Sequence, residues 1–376
     1  MTKLFVCGDI INQFSDRCFI GEELTKVIKS ADYAIGNFEG VISKPAKWKM
    51  IQHSSTPKTL KQCGFDLMLL ANNHITDCGA EGMSSTISSL TEAGLDYMGA
   101  GFTKDEVYAP KIITINGERY GFINLSEAQE GHYVDDSQEC GYAWMSYRDV
   151  DRIIMDTRSK VDYLIIFPHT GLEHYPLPLI SVRNLYRHYC NLGADCIIAC
   201  HPHIAQGIEE YNGKMICYSL GNFFFPRKAE DNFETDIENA SYSLILSFDD
   251  GTITHQPILH KVKDLVVEID ASTSPMLDIK RMSEDLKVGY DDKIKKQNKI
   301  AFYDRIWCRY KLCMMGTDIN DTFIEKCKHL LKYLFFRKKY YGDTEYDRLK
   351  LLLRLNENET CRFVLNDYLK NYLHYD

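Results

Sequence analysis

A chain of 376 residues with 45% hydrophobic and 12% aromatic content can build one large core and a second small one, which excludes a disordered chain. The net charge of −9 is uneven: residues 1–280 hold 24 basic against 38 acidic side chains, and the remainder hold 20 against 15. An acidic main body excludes broad nucleic-acid binding, which needs a basic stripe to neutralise phosphates.

No charged segment followed by an apolar one opens the chain. Met1-Thr2-Lys3 runs straight into Leu4-Phe5-Val6-Cys7-Gly8-Asp9, so the protein is expected to begin in a strand, without a secretory leader. Apolar runs such as Leu67 to Ala71 and Cys196 to Cys200 fall far short of the roughly 20 residues that span a bilayer, and no transmembrane helix is expected. The 13 cysteines form no C-x-x-C pair. That usage suits reduced, buried thiols acting as small core residues in a cytoplasmic protein.

The chain opens in a βα rhythm. Strands are predicted at Leu4 to Gly8, Tyr33 to Asn37, Leu67 to Ala71 and Leu95 to Gly99, with helices at Gly21 to Ser30, Leu60 to Cys63 and Ser84 to Ala93 and a loop around Pro45 to Pro57. The unbroken apolar run Leu67-Met68-Leu69-Leu70-Ala71 marks a strand buried on both faces, so a largely parallel sheet follows. Lys111 to Ile115 and Arg119 to Asn124 flank Asn116-Gly117, a hairpin signal. Helices at Arg148 to Lys160 and Ile180 to Leu192 then alternate with strands at Tyr163 to Phe167 and Asp195 to Cys200. Further strands are predicted at Lys214 to Ser219 and at Ser241 to Phe248, the latter reaching a turn at Asp249-Asp250-Gly251. The expected fold class is α/β, a layered sheet sandwich flanked by helices.

The character changes near Ser272 to Pro275, which has linker composition. The expected organisation is a main domain over 1–271 and a helical C-terminal extension over 276–376. Phe323 to Tyr341, Glu345 to Leu355 and Glu359 to Leu373 carry apolar residues at helical spacing. Lys326, Lys328, Lys332, Arg337, Lys338 and Lys339 lie among leucines and phenylalanines, a pattern that suits a solvated face on a packed helix better than peripheral contact to an anionic membrane.

Five strand ends present polar or metal-binding side chains: Cys7-Gly8-Asp9, Gly36-Asn37-Phe38-Glu39-Gly40, Ala71-Asn72-Asn73-His74, Phe167-Pro168-His169 and Cys200-His201-Pro202-His203. In open α/β sheets, functional loops sit at the carboxyl ends of strands. Carboxylate, amide and imidazole together form a donor set for one or two divalent cations. His201 and His203 would share a face of an extended segment, with Pro202 holding His201 extended.

At these residues the sequence resembles the CapA (poly-γ-glutamate capsule) family, a branch of the calcineurin-like metallophosphoesterases. The resemblance spans roughly residues 3 to 265. It rests on Leu70-Ala71-Asn72-Asn73-His74 with Asp77 and Gly79, Gly99-Ala100-Gly101, His169-x-Gly171-x-Glu173, and the stretch from Gly193-Ala194-Asp195 through His201-Pro202-His203 to Tyr218-Ser219-Leu220-Gly221-Asn222-Phe223.

The resemblance implies that Glu39 bridges two divalent ions (Mn, Zn, Fe or Mg), with Asp9 and His203 completing one site and Asn73, His169 and His201 the other. His74 would be the acid or electrostatic partner facing the leaving group, and a water activated by the ions would be the nucleophile. Asn72 and Asp77 would brace ligands or fix their loop. Glu173 would orient a ligand histidine or contact substrate, His174 would be exposed, and Asn222 would line the site or end a strand. Three departures from the broader pattern stand out, the first being that Glu39 replaces the superfamily's bridging aspartate, as in the capsule family. Ile11 occupies the position of a superfamily histidine, and Thr170 that of a tryptophan expected on the pocket wall.

The implied function is a metal-dependent phosphoesterase-like hydrolase in capsule or surface-polymer biosynthesis, acting on an anionic polymer or a phosphorylated small molecule. The competing reading is a non-catalytic, metal-containing assembly factor that holds an anionic polymer or lipid-linked intermediate. Cleavage or formation of an amide in poly-γ-glutamate is a third. Location is expected in the cytoplasm, with any membrane contact at its inner face.

Overall fold

The computed structural model describes residues 1–13, 16–44, 49–226, 240–270, 277–307 and 355–373. The chain opens with β1 (Thr2–Ile10), α1 (Glu22–Lys29), β2 (Tyr33–Phe38), β3 (Val41–Ile42), β4 (Ile51–Gln52), α2 (Thr56–Gln62), β5 (Leu67–Leu69), α3 (Gly79–Glu92) and β6 (Asp96–Met98). There follow β7 (Ala100–Gly101), α4 (Lys104–Tyr108), β8 (Lys111–Ile115), β9 (Glu118–Ser126), β10 (Gly141–Tyr142), α5 (Val150–Arg158), β11 (Tyr163–His169), α6 (Ile180–Leu192) and β12 (Cys196–Ile198). Then come β13 (Ile208–Tyr211), β14 (Lys214–Cys217), β15 (Asn222–Phe224), β16 (Ala240–Asp249), β17 (Thr252–Lys263) and β18 (Val266–Ile269). Helices α7 (Ile279–Asp285), α8 (Tyr290–Ala301) and α9 (Glu359–Leu373) end the described chain, with a π-helical stretch, Phe302–Trp307, after α8.

Two large sheets face each other, giving the layered α/β sandwich read from the sequence. One runs β18-β17-β16-β1-β2-β5-β6, with β15 added beside the end of β1, and the other runs β13-β14-β12-β11-β9-β8. Leu4, Ile35, Leu67 and Leu244 from the first sheet and Phe122, Ile165, Phe167 and Ile198 from the second belong to a single buried cluster. Aromatic rings close the gap between layers: Tyr120 meets Phe248 edge-on at 5.1 Å and Tyr33 stacks on Phe122 at 6.1 Å. Such pairs add to the burial of apolar area that drives the two layers together.

Strands β1, β2, β5 and β6 pair in parallel, as their unbroken apolar runs suggest. The other half of that sheet is antiparallel, because Asp250 (φ 46) and Gly251 (φ 76) turn β16 back into β17. Strands β17 and β18 went unread in the sequence. Their residues are mostly exposed or half-buried and carry no long apolar run. The expected loop at Pro45 to Pro57 holds β4 and the start of α2 in its described part. The Asn116-Gly117 hairpin forms, with φ of 52° and 88°, the left-handed pair that a two-residue turn between twisted strands requires.

The parallel arrangement decides where chemistry sits. β1, β2 and β5 discharge at one edge of the first sheet, and β9, β11 and β12 at one edge of the second. Asn124, inside β9, ties these edges together: its Oδ1 accepts from Ala71 N at 2.8 Å and its amide donates to Phe167 O at 2.8 Å. Gly8 permits the approach of the Leu220-Gly221 loop, since a Cβ there would lie 1.9 Å from Gly221 O.

The chain divides into two compact units, Met1–Pro178 with Val182–Tyr290, and Leu179–Ser181 with Asp291–Asp376. All the candidate site residues belong to the first. In the second, α9 covers the predicted helix Glu359 to Leu373. The linker at Ser272 to Pro275, the helix at Phe323 to Tyr341 with its basic residues, and nearly all of Glu345 to Leu355 lie outside the described residues. Among the described residues, no helix is long and apolar enough to cross a membrane. The described thiols are mostly buried or half-buried, but Cys18 is exposed, contrary to the expectation of buried cysteines throughout.

Candidate metal centre

Asp9 is the penultimate residue of β1 and is fully buried. Its Oδ1 accepts from Asn37 Nδ2 at 2.8 Å, and its Oδ2 lies 3.4 Å from His203 Nδ1 and 3.3 Å from the His201 N–H. Burial works against its charge, but the His203 hydrogen bond and the positive charge of the His203 ring outweigh that and hold the carboxyl at about 2.

Glu39 follows β2 with no accessible surface, and neither carboxylate oxygen has a hydrogen-bond partner among the described residues. Its Oε1 lies 3.9 Å from His203 Nε2, 4.0 Å from His169 Nε2 and 4.0 Å from His74 Nε2. Burial and then the negative charge of Asp9 push its acid up to about 7, against the pull of His203 and His74. A buried carboxylate costs several kcal/mol unless something positive meets it. A cation among these donors would meet that need.

His169 ends β11 and is fully buried. Its Nε2 lies 3.0 Å from Asn73 Oδ1 and 3.1 Å from His201 Nδ1, while its Nδ1 lies 3.3 Å from Asn37 Nδ2 and 3.5 Å from Cys200 Sγ. Burial and the neighbouring His201 push its ring well below the usual histidine range, so it is neutral and able to donate a lone pair. His201 is also lowered, by burial, despite Glu127 nearby. His203 goes the other way: Glu39 and Asp9 outweigh burial and raise it to about 10.

The donor atoms form three overlapping groups, each within 4.8 Å: Asp9 with Glu39 and His203, Glu39 with His169 and His201, and Asp9 with His169 and Cys200. Asn73 joins through its bond to His169 and is steadied by Gln129 at 3.3 Å.

The expected extended conformation at His201-Pro202-His203 is not what occurs. His201 has φ of 101° and His203 of 59°, both in the left-handed region. Such backbone costs of order 1–3 kcal/mol per residue and persists only where its surroundings hold it. The His201 N–H bond to Asp9 and the His203 ring bond to Asn222 Oδ1 at 2.9 Å do so here. Both rings therefore reach the site through a sharp bend.

His74 is half-buried. Its Nδ1 lies 3.0 Å from Asp77 Oδ2, which also accepts from Met50 N at 2.6 Å. Asp77 and Glu39 raise the His74 ring above its ordinary value although burial opposes them, and Asp77 is lowered in return against its own burial. Asn72 stitches the loops: its Oδ1 accepts from Gly40 N and His74 N at 3.3 and 3.2 Å, and its amide donates to Phe38 O at 2.9 Å. Glu173 is half-buried and bears electrostatically on Glu39, His201 and His203. His174, expected to be exposed, is half-buried with its ring 6.0 Å from that of His203.

Ile11 is fully buried and places no donor at the site; its N–H bonds to Phe224 O. Thr170 is not an exposed wall. It is 1% exposed, and its hydroxyl donates to Glu127 Oε2 at 2.6 Å. Glu127 itself escaped the sequence reading. It lies just past β9, fully buried, with Oε1 3.8 Å from His201 Nε2, and it also accepts from Gly171 N and Gln129 Nε2. Its signal was a carboxylate immediately following a buried strand.

The sequence profile of the family described as "Bacterial capsule synthesis protein PGA_cap" matches residues 3–227. The chain belongs to that family. It is similar to the "Capsule biosynthesis protein CapA" of Bacillus anthracis, with 30% identity over 230 residues, covering 58% of this chain and 56% of that relative. With the "PGA biosynthesis protein CapA" of Bacillus subtilis it shares 29% identity over 209 residues, covering 53% of this chain and 54% of the relative. The chain thus spans about half the length of the curated relatives it matches. Among solved structures, a hypothetical protein of Thermus thermophilus aligns with a TM-score of 0.48 and 15% identity over 70% of this chain and 100% of that one. A 5′-nucleotidase precursor from the same organism aligns with a TM-score of 0.43 and 12% identity over 81% of this chain and 60% of that one. The family match ends at residue 227, so it takes in each of Asp9, Glu39, Asn73, His74, His169, His201, His203 and Asn222.

Proposed function

We propose that this PGA_cap member is a metal-dependent, phosphoesterase-like hydrolase acting in the synthesis of a capsule or other anionic surface polymer. The observation that carries the reading is the Glu39 carboxylate, buried without a hydrogen-bond partner among the described residues and faced by three imidazole nitrogens at 3.9–4.0 Å. Asp9, Glu39, Asn73, His169, His201 and His203 would hold one or two ions of the Mn, Zn, Fe or Mg kind. Bound there, an ion would supply Lewis acidity and an activated water.

The protein's own groups account for the remainder. His74, held by Asp77, presents Nε2 on the Glu39 side and is biased toward its protonated form, suiting it to give a proton to a leaving oxygen. Asn72 and Asn222 fix the loops that carry the ligands. Glu173 places negative charge near His201 and His203. The substrate would be an anionic polymer or a phosphorylated small molecule.

Ile11 favours a second reading. With no imidazole there, the Asp9 side is poorer in nitrogen donors, which suits a site that holds an anionic polymer or lipid-linked intermediate without turning it over. Metal analysis of the purified chain, followed by a panel of phosphomonoesters and phosphodiesters with Mn²⁺ or Zn²⁺, separates the two. Turnover that requires metal supports the hydrolase. Tight metal binding, with a lipid-linked or polymeric intermediate bound and unturned at saturating metal, supports the assembly factor.

A further inference from the structure

Away from the metal ligands, two thiols lie in contact. Cys18 Sγ is 3.6 Å from Cys63 Sγ. Cys18 is exposed, on the segment between the end of β1 and the Ile20 bridge to Val267, and its sulfur also faces Ile20 O at 3.4 Å. Cys63 is the C-cap of α2, 3% exposed, with its N–H bonded to Thr59 O at 3.0 Å. A disulfide needs a sulfur separation of about 2.05 Å, so the pair must close by about 1.5 Å.

We propose that Cys18 and Cys63 form a reversible disulfide in response to peroxide, a modification site that restrains the edge of the metal centre contributed by the first sheet. The asymmetry of exposure sets the order of events. Only Cys18 is open to an oxidant, and burial, with Cys18 beside it, pushes the Cys63 thiol up to about 12, so Cys63 is not the first to react.

The Cys18 thiolate attacks one oxygen of hydrogen peroxide; the O–O bond breaks, leaving a Cys18 sulfenic acid and hydroxide. Cys63 then attacks the Cys18 sulfur, its proton passes to the departing hydroxyl, and water leaves as the S–S bond forms. In sum, two thiols and one peroxide become a disulfide and two waters. A cellular dithiol reverses it by exchange.

The consequence follows from chain connectivity. Cys18 lies beyond Asp9, Cys63 leads through Gly64-Phe65 into β5 and thus toward Asn72-Asn73-His74, and Glu39 lies inside the loop the bond would close. The bond would therefore tie together the chain segments bearing Asp9, Glu39 and His74. The inference does not depend on whether the metal centre turns over substrate.

The test is peptide mapping of the full-length protein under non-reducing conditions, after treatment with equimolar hydrogen peroxide and alkylation of remaining thiols. The expected result is a linked Cys18 and Cys63 peptide pair, a rise in melting temperature that dithiothreitol reverses, and loss of both effects in Cys18→Ser, whose exposed position leaves folding intact. Sulfinic or sulfonic acid on Cys18 without the link, an unmodified Cys18, or a melting-temperature rise that persists in Cys18→Ser would overturn it.

Discussion

The Glu39 carboxylate, fully buried, and the nearly buried His203 ring face each other across 3.9 Å. Burial alone would neutralise both groups. Their proximity, with Asp9 behind His203, raises the ring to about 10 against burial, while the Glu39 oxygens have no hydrogen-bond partner among the described residues.

That relationship makes Glu39 a cost to the metal-free fold. Glu39→Met, close in volume and without the two unpartnered oxygens, is expected to stabilise the metal-free protein by about 1–3 kcal/mol, the range for relieving an unsatisfied buried polar group. It should also lower metal content. Thermal unfolding with and without a chelator, beside elemental analysis, checks both, and a variant that keeps full metal would remove Glu39 from the ligand set.

His74 and His201 should separate under mutation. A general acid contributes about 10²- to 10⁴-fold to the chemical step, so His74→Ala should keep its metal and lose activity on that scale. His201→Ala should lose metal and activity together. Turnover per metal-loaded molecule is the deciding quantity: near-normal turnover in His74→Ala would reduce His74 to a brace for the loop after Asn73.

Asn124→Ala is expected to loosen the two sheets where they meet the site. It strands the Ala71 N–H and the Phe167 C=O, each worth about 1–3 kcal/mol when left unsatisfied. A fall in the urea midpoint of that order is expected, and an unchanged midpoint would show that water replaces the amide.

Acid should act through Glu209. Its carboxylate accepts from Arg183 Nη2 at 2.8 Å, from Arg187 and from Tyr218 Oη at 2.6 Å. Burial opposes its charge, but these donors outweigh it and hold the acid at about 2 in place of the usual 4.5. A depressed carboxylate contributes stability that is present above about pH 4.5 and lost as pH falls toward 2. The shift corresponds to roughly 3 kcal/mol. Denaturant unfolding between pH 7 and 3 should show this slope, flattened in Glu209→Gln.

We propose that the region from about residue 276 onward is dispensable for assembling the metal centre, since the ligand candidates all lie before it, although its first part, up to Tyr290, belongs to the same compact unit as those candidates. Limited proteolysis should cut early near Ser272 to Pro275, leaving a fragment that still takes up metal. A chain that resists cleavage there and unfolds as one unit would contradict the division.

The sequence by itself determined which strands are buried and what stands at their ends. A short apolar run such as Leu67 to Ala71, bounded by polar residues, suits a strand buried on both faces, and the polar residues just beyond it then fall at the sheet's edge. The α/β class, the Asn116-Gly117 turn and the grouping of carboxylates with imidazoles follow from such local rules. Only the tertiary structure decided what each donor faces. β17, whose exposed face carries no apolar pattern, takes its place by pairing with β16 from Thr252 to Lys261. Glu127 becomes a partner of Thr170 and Gly171 because β9 and β11 lie side by side in parallel, a juxtaposition of residues 43 and 44 positions apart. The local preference of a residue before proline called for an extended His201, yet the bond from its N–H to Asp9, 192 positions away, holds the backbone on the other side of φ. Local propensity acts through a few neighbouring atoms, whereas the charge and hydrogen bonding of a buried site are set by segments that meet only once the sheets have closed.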